Sequence, residues 1–251
     1  MESAIIRVQD FTAAYGSRVI LEGLNFEVKA GEVFVILGGS GCGKSTLLKN
    51  LIGLYPPAKG TIEIAGQKFS GATVEEQRKV LQQIGVTYQS GALFGSMTLS
   101  ENVELVLEEF TELPREARRV IAWMKLKLVG LEKFLHHLPS EVSGGMQKRA
   151  ALARAMALDP KILFLDEPSA GLDPITSAEL DALILQLNES LGLTFVVVTH
   201  ELASIYAIAD RVIMLDGKTK SIVAEGKPEE LRDHSENELV RQFFRREVRK
   251  S

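Results

Sequence analysis

A glycine-rich loop between an apolar strand and a helix is the feature that most constrains how this chain folds. Residues 34–46 read FVILGGSGCGKST, and Gly38, Gly43, Lys44 and Ser45 match the P-loop spacing G-x-x-x-x-G-K-[ST]. Glycine lets the backbone bend tightly around phosphate oxygens, and the helix N-terminus that follows adds partial positive charge. The motif therefore predicts an α/β fold with a phosphate site at the end of an apolar strand.

The side chains of this loop have separate expected roles. Lys44 should reach the β- and γ-phosphates of a bound nucleotide, and Ser45 should hold Mg²⁺. ATP is expected to contact the whole loop, which consists of Gly38, Gly39, Ser40, Gly41, Cys42, Gly43, Lys44, Ser45 and Thr46. Cys42 is open to two interpretations: a reactive thiol whose pKa is lowered by the helix N-terminus, or a small residue tolerated at this position.

Composition and charge narrow the classes of protein that fit. The chain has 251 residues, 45% of them hydrophobic and 25% charged, as in globular proteins of one large or two small domains. The net charge of −4 gives no electrostatic argument for nucleic acid, and no such partner is expected. One cysteine excludes an internal disulfide and favours a reducing compartment. We expect neither a signal peptide nor a membrane span, so a role at a membrane would need a partner.

Patterns along the chain predict an antiparallel β part, a helical part and a return to strands. Residues 4–11 and 25–38 alternate apolar and polar side chains, which is typical of strands. Residues 98–157 follow a helical period instead. Residues 161–167 and 194–200 are nearly continuous apolar runs, as expected for strands covered on both faces, and a helical pattern between them predicts a βαβ unit.

A pair of carboxylates ends the first of these apolar strands. In KILFLDEP, Asp166 is placed to coordinate Mg²⁺ through water, and Glu167 is the candidate general base that polarises the attacking water. An Asp-Glu pair at a strand end is by itself most often a solvated turn. The P-loop upstream favours the catalytic interpretation, because the two features together make a nucleotide-hydrolysing site.

A third motif points to a family. Residues 142–155, VSGGMQKRAALARA, have the form L/V-S-G-G-x-x-x-R, and with the P-loop and LDEP they resemble the signature of ABC-type ATPases. The resemblance covers residues 6 to about 230. It implies a P-loop NTPase core with an N-terminal antiparallel β subdomain and an inserted helical subdomain at about 91–157. It places the ATPase domain at 1–233 and a helical C-terminal extension at 234–251.

The resemblance also implies a homodimer with two shared ATP sites. In this family two nucleotide-binding domains associate head to tail, and each ATP lies between the P-loop of one and the signature of the other. Ser143, Gly144 and Gly145 precede a helix, so their backbone N–H groups suit a γ-phosphate held by the partner. Asp173 in SAGLDP matches the loop that crosses this interface. The sequence SGG alone is more often a simple helix cap.

Three further site residues come from the resemblance alone. Tyr15 matches the aromatic residue that stacks on adenine, although a lone tyrosine is also common in a core or at a sheet edge. Gln89 matches the glutamine that meets Mg²⁺ and the attacking water. His200 matches the histidine that contacts the γ-phosphate, and its place at the end of an apolar strand suits that role.

An uncharged segment broken by glycine follows Gln89. In ABC transporters this segment receives a coupling helix of the membrane permease, and the resemblance implies that residues 90–97 do so here. Leu93, Phe94 and Met97 would line the groove, because an exposed apolar patch usually marks an interface. The alternative is a loop packed on its own core.

Finer similarity narrows the class. The stretches QSGALFGSMTLSENV and GLDPITS are similar to the MlaF-like ATPases of Mla/Mce lipid-transport systems. This resemblance implies a peripheral subunit at the cytoplasmic face of the inner membrane, bound to an MlaE-like permease, and transport of phospholipid or another hydrophobic substrate. An MCE protein (MlaD-like) and a STAS-domain protein (MlaB-like) are further expected partners.

Two other classes of ABC ATPase stay open at this point. One is the ATPase of another importer or exporter subclass, and the other is a soluble member such as an iron–sulfur assembly factor. The tail, residues 234–251, is an amphipathic helix candidate with three interpretations: an extension to a neighbouring subunit, a membrane-surface helix or a solvated end.

Overall fold

Two β-sheets enclose the helix that follows the phosphate-binding loop in the computed structural model, which describes residues 4–246. The strands are, in chain order, β1 (Ala4–Tyr15), β2 (Arg18–Lys29), β3 (Val33–Gly38), β4 (Lys59–Ile64), β5 (Gln67–Lys68), β6 (Ile84–Thr87), β7 (Ile162–Asp166), β8 (Thr194–Val198), β9 (Arg211–Asp216) and β10 (Ser221–Gly226).

The helices connect and cover these strands. They are α1 (Lys44–Leu51), α2 (Val74–Leu81), α3 (Leu99–Phe110), α4 (Arg115–Leu128), α5 (Gly144–Ala155), α6 (Pro174–Leu191), α7 (Leu202–Ile208), α8 (Pro228–His234) and α9 (Glu238–Arg245). Across the described part of the chain, no helix combines the length and apolar character that crossing a membrane requires.

The two sheets differ in strand direction. The first is antiparallel, with the order β2-β1-β4-β5, and the second has the order β10-β9-β3-β8-β7-β6. In the second sheet β3, β6, β7, β8 and β9 run parallel, whereas β10 pairs with β9 antiparallel. The predicted α/β fold with an N-terminal antiparallel β part is confirmed.

Strand β3 joins two hydrophobic clusters. Its side chains alternate in direction: Val33, Val35 and Leu37 enter the cluster under α3–α6, whereas Phe34 and Ile36 face α1 and the antiparallel sheet. All five are fully buried. A strand covered on both faces has no solvated side, which explains its uninterrupted apolar sequence.

The stretch predicted to be helical contains α3, α4 and α5. Helix α3 begins with a capping box, in which Oε2 of Glu101 accepts from the Thr98 backbone N–H at 2.8 Å and Oγ1 of Thr98 accepts from that of Glu101 at 3.2 Å. Leu99, Val103 and Leu107 of α3 are buried in the cluster under α3–α6, which is the larger of the two and is called the larger cluster below. The boundary of a separate subdomain at 91–157 stays a prediction.

Helix α2 and strand β6 are among the elements that the sequence patterns did not predict. Helix α2 is short, and strand β6 has four residues with Gly85 among them, so neither contains enough periodic apolar positions to be recognised. Strand β6 nevertheless pairs with β7 in parallel over its whole length. It therefore sets the position of Gln89, two residues beyond its end.

The tail is partly described. Helix α9 buries Val240 and Phe244 in the larger cluster, and the hydroxyl of Tyr206 donates to the Phe244 carbonyl at 3.2 Å. A solvated end is therefore the wrong interpretation for 238–245. Residues 247–251 of the predicted extension lie outside the described residues.

Substitution of Gly85 by alanine tests the contact between β6 and α5. A Cβ atom here would meet the carbonyl oxygen of Ala155 and come within 2.6 Å of Leu163 Cδ2. We expect Gly85→Ala to lower the free energy of unfolding in urea by about 1–3 kcal/mol, because a packed backbone must shift. Gly95→Ala is the matched control, since nothing lies within 4 Å of a Cβ there. Equal stability of the two variants would contradict the described contact.

Candidate active site

The phosphate-binding loop depends on glycine at two positions. Gly38 has φ 150° and Gly43 has φ 109°, and both lie in the region that L side chains avoid. A Cβ atom at Gly43 would also stand 2.9 Å from the side chain of Leu21. The loop therefore turns sharply between β3 and α1 with its backbone exposed to a ligand.

A cation and a helix N-terminus meet at this loop. Nζ of Lys44 donates to the carbonyl of Gly38 at 2.8 Å and to that of Gly39 at 3.2 Å. The first turn of α1 contains no acidic residue and no side chain caps it, so its N–H groups and partial positive charge are available to an anion. Ser45 is exposed at the same end. These groups fit the phosphates of ATP.

Cys42 is buried within the loop. Its exposed fraction is 3%, and burial raises the pKa of its thiol, with a smaller opposing effect of the Lys44 charge. A buried thiol with a raised pKa is a poor nucleophile. These observations favour the interpretation of Cys42 as a small residue tolerated in the loop.

The end of β7 carries a strained and oriented glutamate. Glu167 has φ 47°, a left-handed conformation rare outside glycine, and its N–H donates to the Val198 carbonyl at 2.8 Å. Nδ1 of His200 lies 2.7 Å from Oε1 of Glu167. Oε2 of Glu167 is buried without a hydrogen-bond partner among residues 4–246. One oxygen is thus held by histidine and the other has capacity for a ligand.

Asp166 lies near both negatively and positively charged side chains. Burial raises the pKa of its carboxyl group and the neighbouring Glu167 raises it further, whereas Lys44, Lys49 and Lys148 oppose the shift. Burial also lowers the pKa of Lys148, against the attraction of both carboxylates. The site is therefore a half-buried cluster in which negative and positive side chains face each other.

The oxygen-donating side chains around the phosphate-binding loop can supply some of the ligands that Mg²⁺ needs. Within residues 4–246 no group of three or more His, Cys, Asp or Glu side chains is placed to hold a metal by itself. Magnesium is usually held by one or two carboxylates, with water and substrate phosphates completing its shell. The carboxylate of Asp166, the hydroxyl of Ser45 and the amide of Gln89 are oxygen donors of the required type.

The signature loop and the predicted interface loop are neighbours. Ser143 caps α5 by accepting from the Met146 N–H at 3.3 Å, and Gly145 packs against Thr176 in the first turn of α6. Asp173 caps α6 through Ile175 and Thr176, and hydrogen bonds from Thr176 hold its pKa below the usual range. Both loops therefore present helix N-termini at one surface.

Other predicted residues lie apart from this cluster. No hydrogen bond or ion pair of the described residues joins Ser143, Gly144 or Gly145 to the P-loop of the same chain. The exposed ring of Tyr15 meets that of Tyr55 edge to face, with centroids 5.7 Å apart. Its exposure leaves room for a stacking base.

Residues 90–97, called the coupling segment below, divide into buried and exposed parts. Leu93 packs against the larger cluster, Met97 is half-buried, and Phe94 is 51% exposed. The fully buried Asn102 of α3 fixes this part, accepting from the Phe94 N–H at 2.8 Å and donating to the carbonyls of Phe94 and Met97 at 3.1 Å. Phe94 is therefore the side chain most available to a partner.

Sequence reasoning missed three residues that organise this region. They are Asn102, Lys148 and Arg154, of which Lys148 donates to the Gln89 carbonyl and Arg154 to the carbonyls of Gly91 and Ala92. Their partners are main-chain groups, which any residue type offers and which a sequence pattern therefore does not reveal. The only available signal is the presence of both cations in α5, the helix that begins within the signature and is called the signature helix below.

Comparison with known proteins gives a family and several relatives. The family described as ABC transporter matches residues 21–170, which include the P-loop, the signature and the Asp166–Glu167 pair. The intermembrane phospholipid transport system ATP-binding protein MlaF of Haemophilus influenzae is 40% identical over 247 residues, 98% of this chain and 92% of that protein. The probable ribonucleotide transport ATP-binding protein mkl of Mycobacterium leprae is 42% identical over 239 residues, 95% of this chain and 68% of that protein.

A solved structure is similar over most of the chain. The dimeric ATP-binding cassette MJ0796, in a post-hydrolysis state with ADP and Pi, has a TM-score of 0.79 and 34% sequence identity. The match covers 88% of this chain and 98% of that one. At this identity the likeness extends beyond the fold to the sequence.

Ionisation of Asp166 is expected to cost stability. Its folded pKa lies above the unfolded value, so stability falls as pH rises through the interval between the two and stays lower at pH 7. Asp166→Asn mimics the protonated form. Without nucleotide, its Tm at pH 7 should exceed that of the parent by about 2 °C, and the difference should shrink near pH 4.

Differential scanning fluorimetry across this pH range measures the effect. Asp216→Asn is the control, and its Tm at pH 7 should be lower than that of the parent. A hydrogen bond from the Thr219 N–H lowers the Asp216 pKa, so the ionised carboxylate stabilises the fold. A lower Tm for Asp166→Asn at pH 7 would contradict the described electrostatics.

Proposed function

This chain belongs to the ABC transporter family, and from that membership we propose that it is the ATP-hydrolysing subunit of a phospholipid transporter. Its reaction is the hydrolysis of ATP to ADP and phosphate. The MlaF relative is named for intermembrane phospholipid transport, and it aligns along nearly the whole chain. The cargo, the partners and the roles of individual residues are parts of the proposal.

One observation carries the catalytic part. The two carboxylate oxygens of Glu167 have different surroundings: Oε1 lies 2.7 Å from His200, and Oε2 is buried without a described partner. A general base needs an oriented carboxylate with a free lone pair at the reacting atoms. Glu167 supports this role, and His200 acts on it by fixing its orientation.

The proposed step is an in-line attack of water on the γ-phosphorus of ATP. The water oxygen bonds to phosphorus as the bond to the β,γ-bridging oxygen breaks, and Oε2 of Glu167 accepts the water proton. Lys44 exchanges its contacts with the Gly38 and Gly39 carbonyls for phosphate oxygens. Asp166, Ser45 and Gln89 would hold Mg²⁺, which would neutralise phosphate charge.

A second copy of the chain completes each site in this proposal. Ser143 and Gly144 are exposed at the N-terminus of α5, and the first turn of that helix contains no acidic residue. Such an end suits an anion, but no described contact joins it to the P-loop of its own chain. The dimeric state of the MJ0796 relative supports a homodimer in which this end faces the partner's ATP.

The coupling segment is proposed to receive the membrane permease, of the MlaE type. Exposed Phe94 and half-buried Met97 supply an apolar surface, and Leu93 supports it from the core. This arrangement combines both sequence interpretations, since the segment packs on its own core at one position and is exposed at another. The subunit would then lie at the cytoplasmic face of the inner membrane.

Further partners are proposed on the helical part. Val120, Trp123 and Met124 form an exposed apolar stripe on α4, which supports a protein partner there. We assign this surface to a STAS-domain protein of the MlaB type, with an MCE protein of the MlaD type on the far side of the membrane. The ribonucleotide named for the M. leprae relative is the second candidate cargo.

Substitution of Glu167 tests the catalytic proposal. Glu167→Gln should lower kcat for ATP by about 10²–10⁴-fold, since the amide cannot accept the water proton. ATP binding should persist, and ATP-bound dimers should accumulate. Size-exclusion chromatography with light scattering measures their molar mass. Lys44→Ala should abolish hydrolysis. Glu201→Gln, a neighbouring carboxylate without a bond to Glu167, is the matched control, and unchanged turnover of Glu167→Gln would refute the base assignment.

Affinity purification from detergent-solubilised membranes tests partner and cargo. The parent chain should bring down a permease together with phospholipid, and Phe94→Asp should lose both while keeping ATP binding. Val74→Asp, which places the same charge at an exposed position on α2, should retain them. Recovery of bound ribonucleotide without lipid would favour the second cargo. Equal recovery with Phe94→Asp would overturn the coupling surface.

A further inference from the structure

Two cations of the signature helix hold the backbone on either side of the coupling segment's first turn. Lys148 donates from Nζ to the carbonyl of Gln89. Arg154 donates from Nη1 to the carbonyl of Ala92 at 2.6 Å and from Nη2 to that of Gly91 at 2.9 Å. Three carbonyls within four residues thus accept from one helix.

The order of these contacts shows how the backbone runs. Gln89 meets Lys148, and Ala92 meets Arg154, about 9 Å further along the helix axis. Between them, a Cβ atom at Gly91 would stand only 3.5 Å from Cβ of Ala151. Residues 89–92 therefore lie along α5 in the same direction as the helix, in direct contact with it.

This backbone is held in a strained form. Gly91 has φ 74° and Ala92 has φ 49°, so two successive residues adopt left-handed conformations. Such a conformation persists at alanine only where its surroundings fix it. The carbonyls of both residues accept from the guanidinium of Arg154, a planar fork that can donate to two carbonyls at once.

Lys148 has a second set of neighbours. It is half-buried, and both Asp166 and Glu167 act on it electrostatically. Its single ammonium group therefore faces the carboxylates of the candidate site and the carbonyl that precedes the coupling segment. Arg154 has no carboxylate among its described partners, and its bonds go to the backbone.

We propose that Lys148 and Arg154 are positioning residues that fix residues 89–92 to the signature helix, so that α5, Gln89 and the coupling segment move as one body. The roles of Gln89 and of the segment rest on the proposed function. The attachment itself is a property of the chain without nucleotide. Lys148 controls the placement of Gln89 beside the carboxylates, and Arg154 controls the turn that leads to Phe94.

Hydrogen–deuterium exchange of the nucleotide-free chain tests the attachment. In Lys148→Met and Arg154→Met, amide exchange in residues 89–95 should rise about tenfold, because each loses a charged hydrogen bond to this backbone. Arg118→Met is the matched control, since this guanidinium is also largely buried but bonds to Glu108 of α3. Unchanged exchange at 89–95, or an equal rise in the control, would overturn the attachment.

Steady-state kinetics test the positioning role. Lys148→Met should lower kcat by about three- to tenfold with KM for ATP within about twofold, and Lys148→Arg should recover most of the loss. Arg154→Lys keeps the charge but forms only one of the two bonds, so its exchange should lie between those of the parent and Arg154→Met. A fall in kcat that Lys148→Arg does not recover would overturn the positioning role.

The two proposals fail in distinguishable ways. If Lys44→Ala retains hydrolysis, the proposed site is wrong, while exchange at 89–95 still measures the attachment. If the Lys44 and Glu167 variants behave as expected but exchange is unchanged in both methionine variants, the attachment alone is wrong. Should Arg154→Met not fold, Arg154→Lys provides the comparison, because it loses one of the two bonds. Should Lys148→Met not fold, Lys148→Gln replaces it, because it removes the charged donor to the Gln89 carbonyl.

Discussion

Parallel pairing of β3, β8, β7 and β6 is the constraint on which the candidate site depends. Parallel strands end at one edge of a sheet, and each functional segment follows its strand directly: the P-loop after β3, His200 after β8, Asp166 and Glu167 at the end of β7, and Gln89 after β6. The strands are almost entirely buried, so their register is fixed by close packing. Residues distant in sequence are therefore brought to one edge of the sheet, where the proposed phosphate chemistry would take place.

The same edge concentrates charge at a cost to folding. Asp166 and Glu167 are adjacent carboxylates, and burial raises the pKa of Asp166 even though Lys44, Lys49 and Lys148 oppose the shift. Glu167 also has an unpartnered buried oxygen and a left-handed backbone. Each feature works against the folded state, and together they prepare the site for a ligand that brings compensating groups.

Sequence alone was informative where chemistry demands particular residue types. The P-loop, the carboxylate pair and the signature were recognisable because glycine, lysine and carboxylates are chemically needed at those spacings, and the α/β fold followed from the apolar strands around them. Strand β6 was not recognised, because four residues that include a glycine are too few to show the alternation of apolar and polar side chains typical of a strand. Lys148, Arg154 and Asn102 were not recognised because they bind main-chain groups, which every residue type offers. The exposure of Phe94 beside the packed Leu93 required the structure, since both look alike as apolar residues.

Attachment through carbonyls has a consequence for diversification. Helix α5 binds residues 89–92 through hydrogen bonds to their main-chain oxygens. These bonds do not depend on most of the side chains at those positions. Under the proposed function, substitutions at Phe94 and its exposed neighbours would therefore change which protein docks and leave the proposed attachment to α5 intact. The proposed attachment therefore depends on main-chain atoms, whereas the choice of partner depends on exposed side chains. One ATPase fold could in this way bind permeases of different shape after substitution of a few surface side chains.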